Sequence, residues 1–293
     1  MLCAAFGAAC VLFQAWVLIR WAEDGNLRGY RFVGDMPTYL KVSTQVEQIV
    51  AVAVCIVMIV VCWRGCRVAG HVTLSAALLT GYFLSFWSDP YSGALYQTAS
   101  NNRYGINYPT WGPYLPGWHG PLPQAQSLLE NIGYVWVMIW IWMGLGVARL
   151  LRARRPHWSR ARVAWLTAVA MFAIDIALEH LYMRFGGYGY SRAMPHLTLF
   201  EGQWYQLPLV SPAVMTALPV MPIVLMDLYA KPGREVWLLD GSLRLPRRIQ
   251  PWIRLLAGVG MANLAMLGLQ VVIFLASLVS YPIALPSWYE MPK

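Results

Sequence analysis

The sequence predicts an all-α membrane protein: a bundle of about seven transmembrane helices with a long aromatic-rich outer loop, forming one domain over residues 1–293. Three observations carry that prediction. Of the 293 residues 58% are hydrophobic and only 12% charged, about half the charged fraction of a soluble domain. Seven apolar segments follow one another, at about Leu2 to Ile19, Ile49 to Trp63, Val72 to Trp87, Ile132 to Leu151, Val163 to Tyr182, Leu209 to Tyr229 and Ile253 to Ile283. The loops after segments two, four and six hold 14 of the 22 basic residues, the alternation of the positive-inside rule. It places the protein in the cell membrane as a multi-pass chain, N-terminus in the cytoplasm and C-terminus outside. The same placement explains the net charge of +9 without nucleic acid as a partner.

The first segment lacks a basic n-region and a small-residue cleavage site, and reads as a retained helix. Residues 20–41 form an outer loop whose four basic residues are the weakest point of the alternation. Glu47 is expected at the outer mouth of helix two. The five cysteines lie on the first two segments or beside them, outside zinc-site spacing, and read as small packing residues. Helix three ends in FWSDPYSG, where Asp89 before Pro90 stops the helix, because the residue before proline is driven out of the helical region.

Tyr91 to Leu128 is the longest loop. A segment of that length without periodicity is usually a lid or binding element. Its aromatics, Trp111 and Trp118 among them, suit a plug folded onto the bundle mouth, with Asn102, Arg103 and His119 as the polar groups it carries inward. Trp111 and Trp118 are expected near helix five or Glu201. Glu130 opens helix four at the same outer level.

Helix five, VAWLTAVAMFAIDIALEHLY, contains Asp175 and Glu179. Carboxyls are costly in hydrocarbon and by default face the interior of a bundle or a wet cavity. At spacing four the two lie about 40° apart on one helix face, together with Leu178 and Tyr182. Just beyond come Arg184, Tyr188 in the glycine-rich FGGYGY turn, and Glu201, Trp204 and Tyr205 in LTLFEGQWYQLP. Asp175, Glu179, Asp89 and Glu201 are therefore the candidate acid/base groups. The remaining polar and aromatic side chains, with Tyr182 and Arg184, are candidates for binding. Pro212, Pro219 and Pro222 break helix six, and Asn263 and Gln270 on helix seven are placed to hydrogen-bond a neighbouring helix. No phosphate-cradling glycine loop, HExxH or Gly-x-Ser-x-Gly elbow occurs.

Several of these pieces together resemble the AveC-like spirocyclases, actinobacterial membrane proteins of polyketide biosynthesis. They are SDP at Ser88 to Pro90, the tryptophans at 111 and 118 with LPGW inside, Asp175-x3-Glu179, GYGYSRAMPHLTLFEGQWYQLP, and MANLAML on helix seven. The resemblance implies cyclisation of a keto-diol polyketide to a spiroketal. One hydroxyl adds to the ketone, water leaves, and the second hydroxyl captures the oxocarbenium ion. That chemistry needs a carboxylic acid and a carboxylate, and aromatic faces such as Trp111, Trp118 or Trp204 stabilise the cation. It implies a hydrophobic polyketide-like substrate and no metal or organic cofactor. Two other readings stay open: a membrane cyclase of terpene type, and a non-catalytic carrier of a hydrophobic metabolite. Oligomeric state is not encoded in any of these features.

The basic-residue pattern is directly testable. A reporter fused near Arg155 or Arg244 should read as cytoplasmic and one near Gly112 as external; an external signal at Arg155 would invert the orientation.

Overall fold

The computed structural model describes residues 1–29, 35–91, 99–102, 104–118, 125–231 and 233–289. Among these, seven helices form: α1 (Leu2–Glu23), α2 (Thr38–Ala69), α3 (Leu74–Phe83), α4 (Leu128–Arg154), α5 (Arg160–Arg184), α6 (Val210–Leu228) and α7 (Gln250–Ser277). Six are long and apolar enough to cross a membrane. The exception corrects the expected third segment: α3 and the 3-10 turn after it span Leu74–Ser88, too short to be counted with the others, and Asp89 keeps right-handed helical angles (φ −55°, ψ −40°), so Pro90 does not drive it out of the helical region as expected.

Helix α2 starts at Thr38, earlier than its apolar run suggests, because Pro37 sets the entry and no helix breaker follows before Ala69. Glu47 is therefore inside a helix. Of the three prolines of α6, Pro219 lies in a π turn at Thr216–Val220, a form in which a lost helical hydrogen bond is tolerated; Pro212 lies in the first turn and Pro222 just after the π turn. Helix α5 buries Val163, Thr167, Met171, Asp175, Glu179 and Met183. That stripe of spacing four runs along one side, drifting about 40° per step. Both carboxyls belong to it, whereas Leu178 is exposed.

Glycines set the closest helix contacts. A Cβ at Gly260 would overlap the Cys3 carbonyl of α1, one at Gly7 the Leu256 carbonyl of α7, and one at Gly258 the Ala77 carbonyl of α3. Helix α7 thus lies backbone to backbone against α1 and α3, the approach that small residues permit where helices pack in an apolar medium. The expected polar links of α7 are present: Asn263 accepts the Trp87 indole N–H at 2.7 Å and donates to the Leu84 carbonyl at 3.0 Å, and Gln270 donates to the Tyr134 hydroxyl at 3.4 Å. Arg254, counted by sequence with the cationic loop before α7, is fully buried. It donates to both oxygens of Glu235, to Ser242 and to the Val72 carbonyl.

Four short antiparallel pairs join the connecting segments. Strand β1 (Ala99–Asn101) pairs with β4 (Tyr188–Tyr190), aligning Asn101 with Tyr188. Strand β2 (Asn107–Pro109) pairs with β3 (Ala125–Ser127), β5 (Arg192–Ala193) with β8 (Tyr281–Pro282), and β6 (Thr198–Leu199) with β7 (Leu207–Pro208). The long loop and the turn after α5 are thereby one layer over the same end of the helices.

Because the glycine contacts are backbone to backbone, side chains cannot relieve them. Gly260→Leu should lower stability by about 1–3 kcal/mol or more, read as a fall in Tm of the detergent-solubilised protein. Gly146→Ala on α4, where a Cβ meets nothing within 4 Å, should not lower it.

Candidate active site

Asp175 and Glu179 are 3% and 8% exposed, one helical turn apart on the buried stripe of α5. Asp175 Oδ1 accepts the indole N–H of Trp140 on α4 at 2.5 Å. Glu179 Oε1 accepts hydrogen bonds from the Tyr188 hydroxyl, the Tyr190 hydroxyl at 2.6 Å and Ser211 Oγ at 2.8 Å. Asp175 Oδ2 and Glu179 Oε2, both buried, have no hydrogen-bond partner among the described residues. Each carboxyl is thus held by one oxygen while its other oxygen is unengaged. Buried polar atoms are rarely left so, and such groups recur at catalytic and binding sites.

The partners come from three elements. Tyr188 and Tyr190 alternate on β4 and share one face of it, while Gly189 between them faces the Tyr289 ring. Ser211 comes from the first turn of α6, just ahead of Pro212. The Tyr190 and Ser211 oxygens are themselves 2.6 Å apart. Each of these two hydroxyls has one hydrogen, so the triangle they make with Glu179 Oε1 has two hydrogens for three contacts. A proton can pass between these oxygens with little motion. Burial first, and then the Glu179 charge, push both tyrosines well above the ordinary phenol range, so they remain donors at neutral pH. A crevice of about 40 Å³ between the start of α6 and the end of α7 reaches Tyr190 and Ser211 and is walled by Val210, Ile273 and Ala276.

Asp89 forms a second buried carboxyl site. Its Oδ1 accepts from the Tyr134 hydroxyl at 2.9 Å and its Oδ2 from the Gln126 amide. Burial raises its pKa, and these two hydrogen bonds oppose the rise. Tyr134 and Trp140 are six residues apart on α4, about 120° around the axis. The Asp89 site and the Asp175–Glu179 pair therefore lie on different sides of one helix.

The other candidates divide. Tyr182 packs its ring on Tyr188, centroids 5.5 Å apart. Arg184, a candidate for binding, is about 140° around the helix from Glu179. It covers Tyr205 at 3.5 Å and reaches His180 instead. Glu201 does not join the pair: left-handed Phe200 and Gly202 turn it outward, exposed, where it accepts from the Tyr281 hydroxyl. Trp204 packs with Trp288 and Tyr289.

The loop reaches this end of the molecule, but not through its tryptophans. Asn102 is the clamp: its amide donates to the Gly186 carbonyl after α5 and to Thr44 of α2, and its carbonyl oxygen accepts from the Tyr104 N–H. Trp111 is buried at 2% exposure, yet among Trp21, Phe86 and the Trp87 carbonyl, on the α1–α3 side. Trp118 is half-buried over Gly112. The placement of both beside helix five is therefore corrected. The Trp87 carbonyl and the rings of Trp21 and Phe86 hold Trp111 there, and Trp118 follows it by lying over Gly112. Arg103, His119 and the Glu130 side chain lie outside the described residues.

Tyr190, Ser211 and Trp140 were missed from sequence. The alternation of Tyr188 and Tyr190 was a period-two signal for a shared face. A serine before a proline and a tryptophan in an apolar helix carry no such signal. Glu47, inside α2, has neither oxygen partnered among the described residues; burial first, and then the Glu47 charge, raise the pKa of Tyr289.

No curated protein and no solved structure shows significant similarity to the chain. The sequence profile described as "Spirocyclase AveC-like" does match, over residues 70–284, which takes in α3 to α7, both carboxyl sites and the whole of the β1–β4 layer. The protein belongs to the AveC-like spirocyclase family.

Proposed function

We propose that this protein is a membrane-embedded, cofactor-independent cyclase that closes a keto-diol polyketide to a spiroketal with loss of one water, using Asp175 and Glu179 as its acid/base pair. Family membership supports the cyclase role in polyketide biosynthesis. The observation that carries the assignment of the pair is that each buried carboxyl keeps one oxygen unpartnered among the described residues. Both side chains project from one helix face, so a substrate admitted between them would meet both oxygens.

In the proposed sequence one substrate hydroxyl adds to the ketone, losing its proton to the ionised carboxyl as the ketone oxygen takes the proton of the other, so the two exchange roles. The hemiketal hydroxyl is protonated by the newly protonated carboxyl and leaves as water. The remaining hydroxyl attacks the oxocarbenium carbon and returns its proton to the carboxylate, so the enzyme ends as it began. Two carboxyls one helical turn apart supply both protonation states. The Tyr190–Ser211 pair relays the proton at Glu179, and Trp140 orients Asp175. The aromatic faces beside the cation are then Tyr188, Tyr190 and Trp140, in place of Trp111, Trp118 or Trp204.

Incubation of the purified protein with a linear keto-diol should yield the cyclic product with loss of water. Asp175→Asn and Glu179→Gln should each fold and cut turnover by about 10² or more, the scale of a general acid or base. If both fold and turn over at near the parental rate, the pair is not catalytic. Tests with isoprenoid substrates, or binding without conversion, would favour the terpene-cyclase and carrier readings.

Tyr190→Phe and Ser211→Ala should each lower turnover about tenfold, as expected for one hydrogen bond to a charged group. If they lower Tm and leave turnover unchanged, the two hydroxyls are anchors for α6 and β4.

A further inference from the structure

At the other end of the molecule from the strand layer, a groove of about 700 Å³ lies between α1, α6 and α7 and the loop that joins the last two. Its floor is apolar: Met226 and Met261 are buried and Pro222 is beside them. Leu225 and Leu264 form exposed walls, and Tyr229 and Trp237 stand exposed at the rim. The polar groups are confined to that rim. Lys231 and Arg234 are both exposed, and the Arg234 N–H donates to the Lys231 carbonyl at 3.0 Å. Neither makes an ion pair among the described residues, where the three ion pairs are His71–Glu235, Arg149–Asp227 and Arg254–Glu235.

The acids of the rim do not cancel these cations. Glu235 is held by both terminal nitrogens of Arg254, leaving Asp240, which is exposed, as the only acid of the lining outside an ion pair among the described residues. The same loop carries Arg244, Arg247 and Arg248, all exposed, and Leu243, Ile249 and Trp252 are exposed beside them. Exposed aromatic and apolar side chains interleaved with cations form the composition of a chain at the membrane interface.

We propose that this groove binds an anionic phospholipid, with one acyl chain along Leu225, Met261 and Leu264 and the phosphate against Lys231 and Arg234. An apolar trough open at the side and a two-cation rim at its end match the two parts of such a molecule. A zwitterionic lipid would bring a second cation to a rim already in positive excess. The inference is independent of the acid/base reading of Asp175 and Glu179, whose residues it does not involve.

Native mass spectrometry of the full-length protein in neutral detergent tests it, with phosphatidylglycerol and phosphatidylcholine of identical acyl chains as probes. Phosphatidylglycerol adducts should form at about tenfold lower concentration, the scale of two cations acting on an anionic headgroup. The Lys231→Gln/Arg234→Gln protein should lose that preference, and Arg247→Gln/Arg248→Gln, altering cations of the same loop outside the groove, should keep it. Leu264→Trp, which fills the apolar wall, should weaken adducts with the cations in place. Equal binding of the two lipids, equal loss in both double variants, no effect of Leu264→Trp, or a groove occupied by a second copy of the chain would each overturn the proposal.

Discussion

A carboxyl group buried in an apolar helix must be compensated, and the surroundings of Glu179 follow from that need. Three hydroxyls converge on one of its oxygens, from Tyr188 and Tyr190 of β4 and Ser211 of α6. Placing two tyrosines on one face requires an extended strand after α5. That strand in turn requires a partner for its backbone groups, which β1 of the long loop supplies. Asn102 then locks the loop to α2 and to the Gly186 turn. The architecture over this end of the helices is thus a chain of hydrogen-bonded groups beginning at one oxygen of Glu179.

The opposite requirement governs α7. Backbones meet where Gly7, Gly81, Gly258 and Gly260 leave no side chain between helices. Such contacts gain dispersion and exclude alternatives, since any larger residue separates the helices. Helix α7 is therefore the fixed reference against which α1 and α3 are set, and its polar groups, Asn263 and Gln270, meet partners on α3, in the turn after it and on α4. Helix α4 connects this rigid part to the chemistry, with Tyr134 serving Asp89 and Trp140 serving Asp175.

The polar and aromatic groups fall into distinct neighbourhoods. Arg184, His180, Phe200 and Tyr205 form one cation–aromatic stack. Trp21, Phe86 and Trp111 form another. Neither touches the carboxyl pair. The sequence expected Arg184, Tyr205 and Trp111 at one mouth; helical rotation turns Arg184, five positions from Glu179 along α5, away from the pair, and Trp111 is held on the α1–α3 side. Among the described residues, the hydrogen bonds to the carboxyl pair come from hydroxyls and an indole, with no cation among them.

Helical content, the long apolar runs, the placement of both carboxyls on the buried stripe of α5 and the hydrogen-bonding role of Asn263 and Gln270 were all legible in the chain. Each depends on local periodicity, which repeats every turn of a helix. The motifs around Asp89, Asp175 and LTLFEGQWYQLP sufficed to place the chain in its family. The rest was not local. Ser211, Trp140 and Gln126 reach their carboxyls across 32, 35 and 37 residues, and no pattern in the intervening sequence marks such pairings. The early end of α3, the outward turn at Glu201 and the burial of Arg254 depend on which neighbours fill the space around them. Periodicity determines which side of a helix is buried; only the packing of one helix on another decides what that side meets.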